Sequence, residues 1–439
     1  MVTHQLRIKT ENFRAISQAN IVIDGITVVA GENGSGKSTL SKLLYFFYKT
    51  ASNYNKLVGR ELRYKLRDIE RFLEIMVSDI HSISNQRNTR EEYEELRSLR
   101  HGIDDPTEEE MHKWIAFIEK VTNNYYSQPS LFKGDKPINP RISNRLKYII
   151  RDILGDLIPG IDPDTLPFNL LIKVVRDIFA EAFGKMKSRP TSLFLNELSS
   201  VFTDGNLPEK FEVFEFEEQI VSINTSSLSI PYLIQNVIYI DSPMSLGVVS
   251  SDNEYWDDLN ELLLEKGKSN FSALSEIISR DIISGDVTVD EGTLASDDFT
   301  FKRSDGSIYN LLDVATGIKS FAILQLLIKN GSLTDKTLVI MDEPESHLHP
   351  QWIIEYARLI VLLSKEIGVR FFIASHNPDM VSALKYISEK QGTNETLNYY
   401  LAEKANKKFS YDYTHLGKEI DPIFQSFNIA IDRISQYGS

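Results

Sequence analysis

The chain has 439 residues, of which 42% are hydrophobic and 25% charged, a composition typical of a soluble globular protein with two or three domains. It contains no cysteine, no signal-peptide pattern at its N-terminus and no apolar run near the ~18 residues that cross a bilayer, so disulfides and thiolate metal sites are excluded and we expect a cytoplasmic protein without membrane contact. The net charge of −14 argues against a surface that attracts nucleic acid everywhere, and any such contact would need a local basic face.

The first 30 residues predict three short strands. Apolar residues and turn signals place these strands at residues 6–9, 19–24 and 26–30, with Gly25 at the turn between the last two. Three strands in such close succession indicate a small antiparallel sheet beside the core of the domain.

The third strand runs into a phosphate-binding loop. Residues 31–39 match G-x-x-x-x-G-K-[ST], and the apolar residues of 40–49 that follow have helical spacing. In this strand–loop–helix context, Lys37 is expected to reach the β- and γ-phosphates of a nucleoside triphosphate, and Ser38 to hold Mg²⁺. The predicted nucleotide-binding residues of the loop are Asn33, Gly34, Ser35, Gly36, Lys37, Ser38 and Thr39.

A mainly helical insertion is predicted from residue 53 to residue 229. One seam follows steps of four and three, which favours a helical hairpin or bundle over a long coiled-coil arm. The residues of this seam are Leu62, Leu66, Ile69, Leu73, Met76, Ile80 and Ile83. Further helices are predicted at residues 108–121, 143–157 and 169–185, and residues 211–217 alternate as a strand does. The predicted division is therefore 1–52, 53–229 and 230–439.

The next stretch alternates between strands and helices. Residues 236–241 predict a buried strand, residues 254–283 a helical segment, and residues 286–290 and 298–303 a strand pair. Residues 314–320 then open an apolar helix that runs to Asn330 and stops at Gly331.

Two adjacent carboxylates end the next apolar strand, at residues 338–343. This is the form of a Walker B motif, in which Asp342 holds Mg²⁺ and Glu343 polarises the attacking water as a general base.

A histidine follows the strand predicted at residues 369–374. His376 by itself would more often be a surface or capping residue, but about 34 residues beyond Asp342 and on the next strand it is placed to sense the γ-phosphate. Residues 396–401 and 408–413 then predict an edge hairpin, and residues 421–434 a closing helix.

Four motifs follow one another: the phosphate loop, the helix opened by residues 314–320, the Asp-Glu strand and the histidine loop. This order resembles an ABC-type ATPase head of the soluble class that includes OLD, RecF and SMC proteins, in which the helix at this place carries the signature motif. Residues 342–350 are the most specific match, and the resemblance covers roughly residues 1–50 and 235–420. It implies an α/β fold: an ABC-type P-loop ATPase head, with a mixed sheet, flanking helices and a small antiparallel sheet, interrupted by a large helical insertion.

In this class two heads sandwich two nucleotides, so the resemblance also implies a homodimer or a higher homo-oligomer that uses ATP and Mg²⁺. Thr316 and Gly317 would contact the γ-phosphate bound by the partner chain. The signature departs from Leu-Ser-Gly-Gly-Gln, because Ile318 replaces the second glycine and Lys319 the glutamine. Lys319 would then add a cationic contact across the interface.

The Q-loop glutamine of ABC-type heads has no identified counterpart in this chain. Asp241 and Ser242 lie in the corresponding region.

Two functional hypotheses follow. The short head with its insertion resembles ATPase subunits of bacterial antiphage defence systems of the Septu and PARIS types, which implies an ATP-driven dimer that gates a separate nuclease or toxin. The alternative is a DNA-binding ATPase of RecF or SMC type, which the basic residues within 60–71 and 133–151 favour, although acids such as Glu61, Asp68 and Glu70 balance some of them. A transporter head is disfavoured by the large insertion and the missing Q-loop.

Overall fold

The computed structural model describes residues 5–84, 89–101, 105–127, 132–133, 136–137, 140–161, 168–202, 206–241, 254–265, 272–290, 298–425 and 437. The chain forms two compact units, one made of Met1–Ser52 with Thr191–Ser439 and the other of Asn53–Pro190. The first junction coincides with the end of the predicted N-terminal segment. The second lies at residue 190 and not at 229, because residues 191–229 pack with the first unit.

The first unit holds most of the strands and the helices that flank them. Its strands are β1 (Leu6–Phe13), β2 (Ile16–Val22), β3 (Ile26–Gly31), β6 (Lys210–Glu215), β7 (Glu218–Ser222), β8 (Asn236–Ile240), β9 (Gly285–Asp290), β10 (Asp298–Arg303), β11 (Ile308–Asn310), β12 (Thr337–Asp342), β13 (Arg370–Ala374), β14 (Leu397–Lys404) and β15 (Tyr411–Gly417). Its helices are α1 (Lys37–Ser52), α7 (Thr191–Val201), α8 (Glu254–Leu264), α9 (Ser272–Glu276), α10 (Thr316–Asn330), α11 (Pro350–Ile367) and α12 (Pro378–Gln391), with a π-helix at Ile277–Ile282 directly after α9.

Ten of the described strands form one mixed sheet in the order β7-β6-β1-β2-β15-β14-β3-β13-β12-β8. The run from β14 to β8 is parallel, whereas β7, β6, β1 and β2 pair antiparallel. The β14–β15 hairpin joins the two halves, so it lies in the middle of the sheet and the prediction of an edge hairpin is wrong. The predicted fold class is confirmed: a mixed sheet with flanking helices and a small antiparallel sheet.

The parallel strands are buried on both faces, as their continuous apolar runs predict. Every residue of β13 and the first five residues of β3 and of β12 are buried. Helix α1 packs on β8, β12 and β13, and α11 packs on β13 and α12. All four parallel strands from β3 to β8 therefore end at one edge of the sheet, which brings the loops after them together.

A three-stranded antiparallel sheet, in the order β11-β10-β9, lies next to α10. The buried Gln325 of α10 ties the two together: its amide nitrogen donates to Asp286 Oδ1 (3.0 Å) and its amide oxygen accepts from the Val287 N–H (3.0 Å). The sequence predicts β9 and β10 but not β11, whose three residues are all exposed.

The second unit is a helical bundle. It consists of α2 (Tyr54–Ser84), α3 (Thr89–His101), α4 (Glu108–Tyr126), α5 (Pro140–Leu154) and α6 (Phe168–Ser188), with the two-residue strands β4 (Phe132–Lys133) and β5 (Lys136–Pro137). Helix α2 packs against each of the other four helices. Its seam residues Leu62, Leu66, Ile69, Leu73 and Met76 are buried, which is the bundle arrangement that the sequence favours.

Part of the predicted closing helix lies outside the described residues, since only residues 421–425 of it are described, as helix. Within the described parts of the chain, no helix is long and apolar enough to cross a membrane.

Candidate active site

The phosphate loop spans the short gap between β3 and α1. Gly34 and Gly36 have φ values of +81° and +95°, which only glycine adopts without strain. At Gly36 a side chain would also meet Ile16, since a Cβ would lie 3.0 Å from Ile16 Cγ1. The glycines thus close the loop tightly around the N-terminus of α1, whose free N–H groups favour an anion.

Lys37 begins α1 and folds back over the loop. Its Nζ donates to the carbonyl oxygens of Gly31 (2.8 Å) and Glu32 (3.1 Å), and the residue is only 5% exposed. Burial lowers the pKa of Lys37, while Glu343 and Asp342 oppose that shift. The two carboxylates thus favour the cationic form of Lys37, which is the form that binds phosphate.

The remaining loop residues differ in exposure. Ser35 is fully buried, Asn33 and Ser38 are exposed, and Thr39 is half-buried. The loop also has a support that the sequence did not predict, because the Tyr413 hydroxyl on β15 donates to the Ser35 carbonyl at 3.0 Å. The central position of the hairpin makes this contact possible.

Asp342 ends β12 beside the loop. Burial raises the pKa of Asp342, while hydrogen bonding from the side chains of Ser38 and Tyr239 lowers it. Tyr239 donates to Oδ2 at 3.1 Å, whereas Oδ1 is buried and has no hydrogen-bond partner among the described residues.

These groups fit a magnesium ion. A serine hydroxyl and a carboxylate are the oxygen ligands that Mg²⁺ takes in phosphate-loop sites, where nucleotide phosphates and water complete the shell. Within the described ranges, no cluster of three or more His, Asp or Glu residues forms a metal site by itself. The orphaned Oδ1 of Asp342 and the adjacent Ser38 therefore fit a metal that is held jointly with a nucleotide.

Glu343 and His376 lie together where β12 and β13 end. Glu343 has a φ of +53°, which a non-glycine residue adopts only when its surroundings impose it, and its N–H donates to the Ala374 carbonyl at 2.8 Å. His376 Nδ1 lies 3.2 Å from Glu343 Oε1, but the angle is outside hydrogen-bond geometry. The contact is thus an ion pair only when the imidazole is protonated. Both side chains are partly exposed and can reach a substrate.

Glu345 is a member of the site that the sequence reasoning did not identify. This carboxylate is 6% exposed and its Oε1 accepts from the Ser375 hydroxyl (2.8 Å) and the His376 N–H (3.3 Å). Burial raises the pKa of Glu345. The residue ties the loop after β12 to the loop after β13, and so fixes His376 relative to Glu343.

The predicted signature residues form the first turn of α10. Gly317 is packed under Trp352, since a Cβ there would lie 2.7 Å from the indole ring. Lys319 Nζ donates to the Leu312 carbonyl of its own chain at 2.6 Å. Thr316 is half-buried at the helix start, where Ala315 provides no side-chain cap.

Of the two residues in the Q-loop region, Asp241 directly follows β8 and accepts from the indole N–H of Trp256 at 2.7 Å. Ser242 lies outside the described residues.

Comparisons with solved structures find remote similarity to SMC heads. The SMC head domain from Thermotoga maritima is 10% identical with a TM-score of 0.36, and the match covers 94% of this chain and 99% of that chain. The Smc head domain from Pyrococcus furiosus, solved with an extended coiled coil and bound to the C-terminal domain of ScpA, is 9% identical with a TM-score of 0.32 and covers 99% of both chains. A comparison with curated proteins finds no match.

A family model provides the assignment. The model described as "AAA domain, putative AbiEii toxin, Type IV TA system" matches residues 26–382. This range includes the phosphate loop, the first turn of α10, both carboxylates at the end of β12 and His376. The chain therefore belongs to this family of AAA domains and is a P-loop ATPase of that type.

Proposed function

We propose that this chain binds ATP with Mg²⁺ at the phosphate loop and hydrolyses it. The observation that carries the proposal is the convergence of Lys37, Asp342, Glu343 and His376 at one edge of the sheet. Lys37 interacts electrostatically with the two carboxylates that end β12, and Glu343 Oε1 lies 3.2 Å from His376 Nδ1.

Each residue has a role that its surroundings support. Lys37 and the loop N–H groups bind the phosphates, and Ser38 and Asp342 hold the metal, which neutralises charge on the transferred phosphoryl group. Glu343 is partly exposed and makes no ion pair with lysine or arginine in the described structure, so it accepts a proton from the attacking water. His376 donates a hydrogen bond to the γ-phosphate.

Two substitutions test this chemistry. Lys37→Ala removes the loop cation and is expected to abolish binding of ATP measured by equilibrium titration. Glu343→Gln is expected to keep binding and to slow phosphate release by roughly 10²–10⁴-fold, the usual loss of a general base. Glu395→Gln, at an exposed site on the same unit, is the matched control. A normal rate in Glu343→Gln would show that another group takes the proton.

We further propose that two copies, or a higher homo-oligomer, share their sites. Thr316, Gly317 and Lys319 would then act on the nucleotide bound by the partner chain. The bond from Lys319 to the Leu312 carbonyl holds this side chain at the start of α10, which supports a fixed position for its charge.

Mixing two inactive variants tests this sharing. A mixture of Lys37→Ala and Lys319→Ala chains forms some dimers with one intact composite site. We expect its ATPase rate to exceed that of either variant alone. Normal hydrolysis by Lys319→Ala would remove this residue from the site and leave Gly317 as the backbone donor.

The role we propose for this ATPase is to gate a partner effector, a nuclease or a toxin, in antiphage defence. The family description refers to toxin–antitoxin systems, which supports a setting with a second protein component. The helical unit Asn53–Pro190 is a compact body of its own and far larger than a nucleotide site requires, so we assign the docking or self-assembly surface to it.

Deletion of that unit tests the assignment. Replacing residues 53–190 with a short Gly/Ser linker is expected to leave ATP binding measurable, while co-purification with the product of a neighbouring gene is lost. Full co-purification after the deletion would place the docking surface on the other unit.

The nucleic-acid alternative has less support in the described structure. Lys65 pairs with Glu61 (3.3 Å) and Glu181 (2.6 Å), and Lys185 pairs with the same two carboxylates. Of the basic residues on which this alternative rests, Lys65 is therefore paired with carboxylates. Affinity for duplex DNA titrated against salt decides between the two, since each phosphate contact adds a log–log slope of about −0.9.

A further inference from the structure

Tyr239 is a buried residue of β8 that no motif predicts. Its hydroxyl donates to Asp342 Oδ2 at 3.1 Å, and the residue is 1% exposed. Tyr239 stands opposite Ile340 in the parallel pairing of β8 with β12. Because side chains two residues apart share a face of a strand, Tyr239 and Asp342 lie on the same face of the sheet.

This bond makes the two oxygens of Asp342 different. Oδ2 is occupied by the Tyr239 hydroxyl, whereas Oδ1 is buried and without a partner among the described residues. A carboxylate with both oxygens free can rotate about its χ2 torsion, which is broad and roughly two-fold. The Tyr239 bond, beside the hydrogen bonding from Ser38, favours one rotation and leaves Oδ1 as the oxygen available to a metal.

The ring of Tyr239 is itself held on two sides. Tyr255 of α8 lies against it with ring centroids 4.7 Å apart, and Tyr45 of α1 at 5.7 Å. The Tyr45 hydroxyl donates to Asp258, and Trp256, the residue after Tyr255 in α8, donates to Asp241 at 2.7 Å. Since aromatic contacts at these distances are favourable, the packing of the two rings holds the phenol of Tyr239 in place.

We infer that Tyr239 is a positioning residue for the metal, which sets the rotation of the Asp342 carboxylate so that Oδ1 is presented to Mg²⁺. The inference rests on the proposed ATP site, and it adds a residue from the strand next to β12 to the metal machinery. Hydrogen-bond partners that orient a ligand in this way commonly contribute 10–100-fold to metal affinity.

The test compares two Tyr→Phe substitutions, each of which removes one buried hydroxyl group. Tyr239→Phe removes the donor to Asp342 and keeps the ring in its packing. Tyr399→Phe is the matched control, because Tyr399 is equally buried in the same sheet and its hydroxyl donates over the same 3.1 Å, but to the Val381 carbonyl. Binding of a fluorescent, non-hydrolysable ATP analogue is titrated first in EDTA and then at stepwise Mg²⁺ concentrations, with Asp342→Asn as the reference for loss of the ligand.

In EDTA, we expect the affinity of Tyr239→Phe for the analogue to be within about twofold of the wild-type affinity. The Mg²⁺ concentration that gives half of the Mg²⁺-dependent increase in affinity is expected to be at least about tenfold higher than for wild type. Tyr399→Phe is expected to keep the wild-type midpoint. An unchanged Mg²⁺ midpoint in Tyr239→Phe overturns the inference. So does an equal shift in Tyr399→Phe, or a loss in EDTA as large as the loss in Mg²⁺, because each shows a general effect on the fold. A wild-type chain that binds no analogue in either condition would instead refute the proposed ATP site itself.

Discussion

Replacing Glu345 provides a test of how the site is assembled. Its carboxylate joins the loop after β12 to the loop after β13 through the Ser375 hydroxyl and the His376 N–H. Glu345→Ala removes the acceptor of both bonds. Glu345→Gln keeps an acceptor oxygen for them, removes the charge and replaces the other carboxylate oxygen with an NH₂ group.

The structure sets the size of the effect. Ser375 is fully buried, so its hydroxyl loses its acceptor in Glu345→Ala at a cost of about 1–3 kcal/mol. The lost methylene adds about 0.8 kcal/mol, which brings the expected destabilisation to about 2–4 kcal/mol. At about 2 °C per kcal/mol, the low end for a large unit, the Tm falls by roughly 4–8 °C. Glu345→Gln is expected to stay within about 1 kcal/mol of wild type.

The pH dependence provides a second, independent readout. Burial raises the pKa of Glu345 above its ordinary value of 4.5, so in the window between the two values the folded chain binds more protons than the unfolded chain. The stability that this group contributes is therefore present below pH 4.5 and is lost as the pH rises through the raised value. Glu345→Gln has no titrating carboxyl at this position, so its stability lacks this pH dependence. The Tm of Glu345→Gln minus the Tm of wild type should therefore increase as the pH is raised from 4.5 to 8.

Scanning calorimetry of the three proteins at several pH values measures both effects. Two results would refute the reasoning: a Glu345→Gln variant as unstable as Glu345→Ala, or a difference from wild type that stays constant with pH. The first would show that an uncharged amide cannot replace the carboxylate, and the second would show that folding leaves the pKa of Glu345 unchanged.

Three further substitutions probe backbone and packing. Gly36→Ala places a side chain at a φ of +95°, which costs about 1–2 kcal/mol, and should weaken ATP binding at least several-fold in a titration; wild-type affinity would show that the loop tolerates a side chain there. Gly317→Ala puts a methyl group 2.7 Å from the Trp352 ring, so overpacking should lower the free energy of unfolding by about 1–3 kcal/mol and shift the tryptophan fluorescence. An unchanged spectrum and Tm would contradict the packing described. Gln325→Leu leaves the buried Val287 N–H without its acceptor, which should lower the free energy of unfolding by about 1–3 kcal/mol and accelerate hydrogen exchange at that amide. Unchanged protection would refute the role of this glutamine.

The motifs that sequence reasoning found are local. The phosphate loop, the carboxylates after β12 and the histidine after β13 each follow a strand directly, so a short window contains both the residue and the structure that places it. The strand–loop–helix around Lys37 and the strand ending at Asp342 therefore lie where the sequence places them.

The contacts that sequence reasoning missed join residues far apart in the chain. Tyr239 meets Asp342 across 103 residues, and Tyr413 meets Ser35 across 378. Strand pairing on this scale has no local signal, which also explains why the β14–β15 hairpin was placed at an edge. The boundary at residue 229 fails for a related reason: β6 alternates as any half-buried strand does, and only its pairing with β1 shows where it belongs.

The position of β3 in the sheet has a consequence for how the chain acquires its site. The strand that leads into the phosphate loop pairs with β13 and β14, at residues 370–374 and 397–404. During synthesis, β3 is thus complete hundreds of residues before either neighbour leaves the ribosome. Contacts of such long sequence separation form late and slowly, so a nascent chain arrested before β13 should bind no nucleotide. By contrast, the contiguous helical unit Asn53–Pro190 can fold as soon as its own residues have emerged.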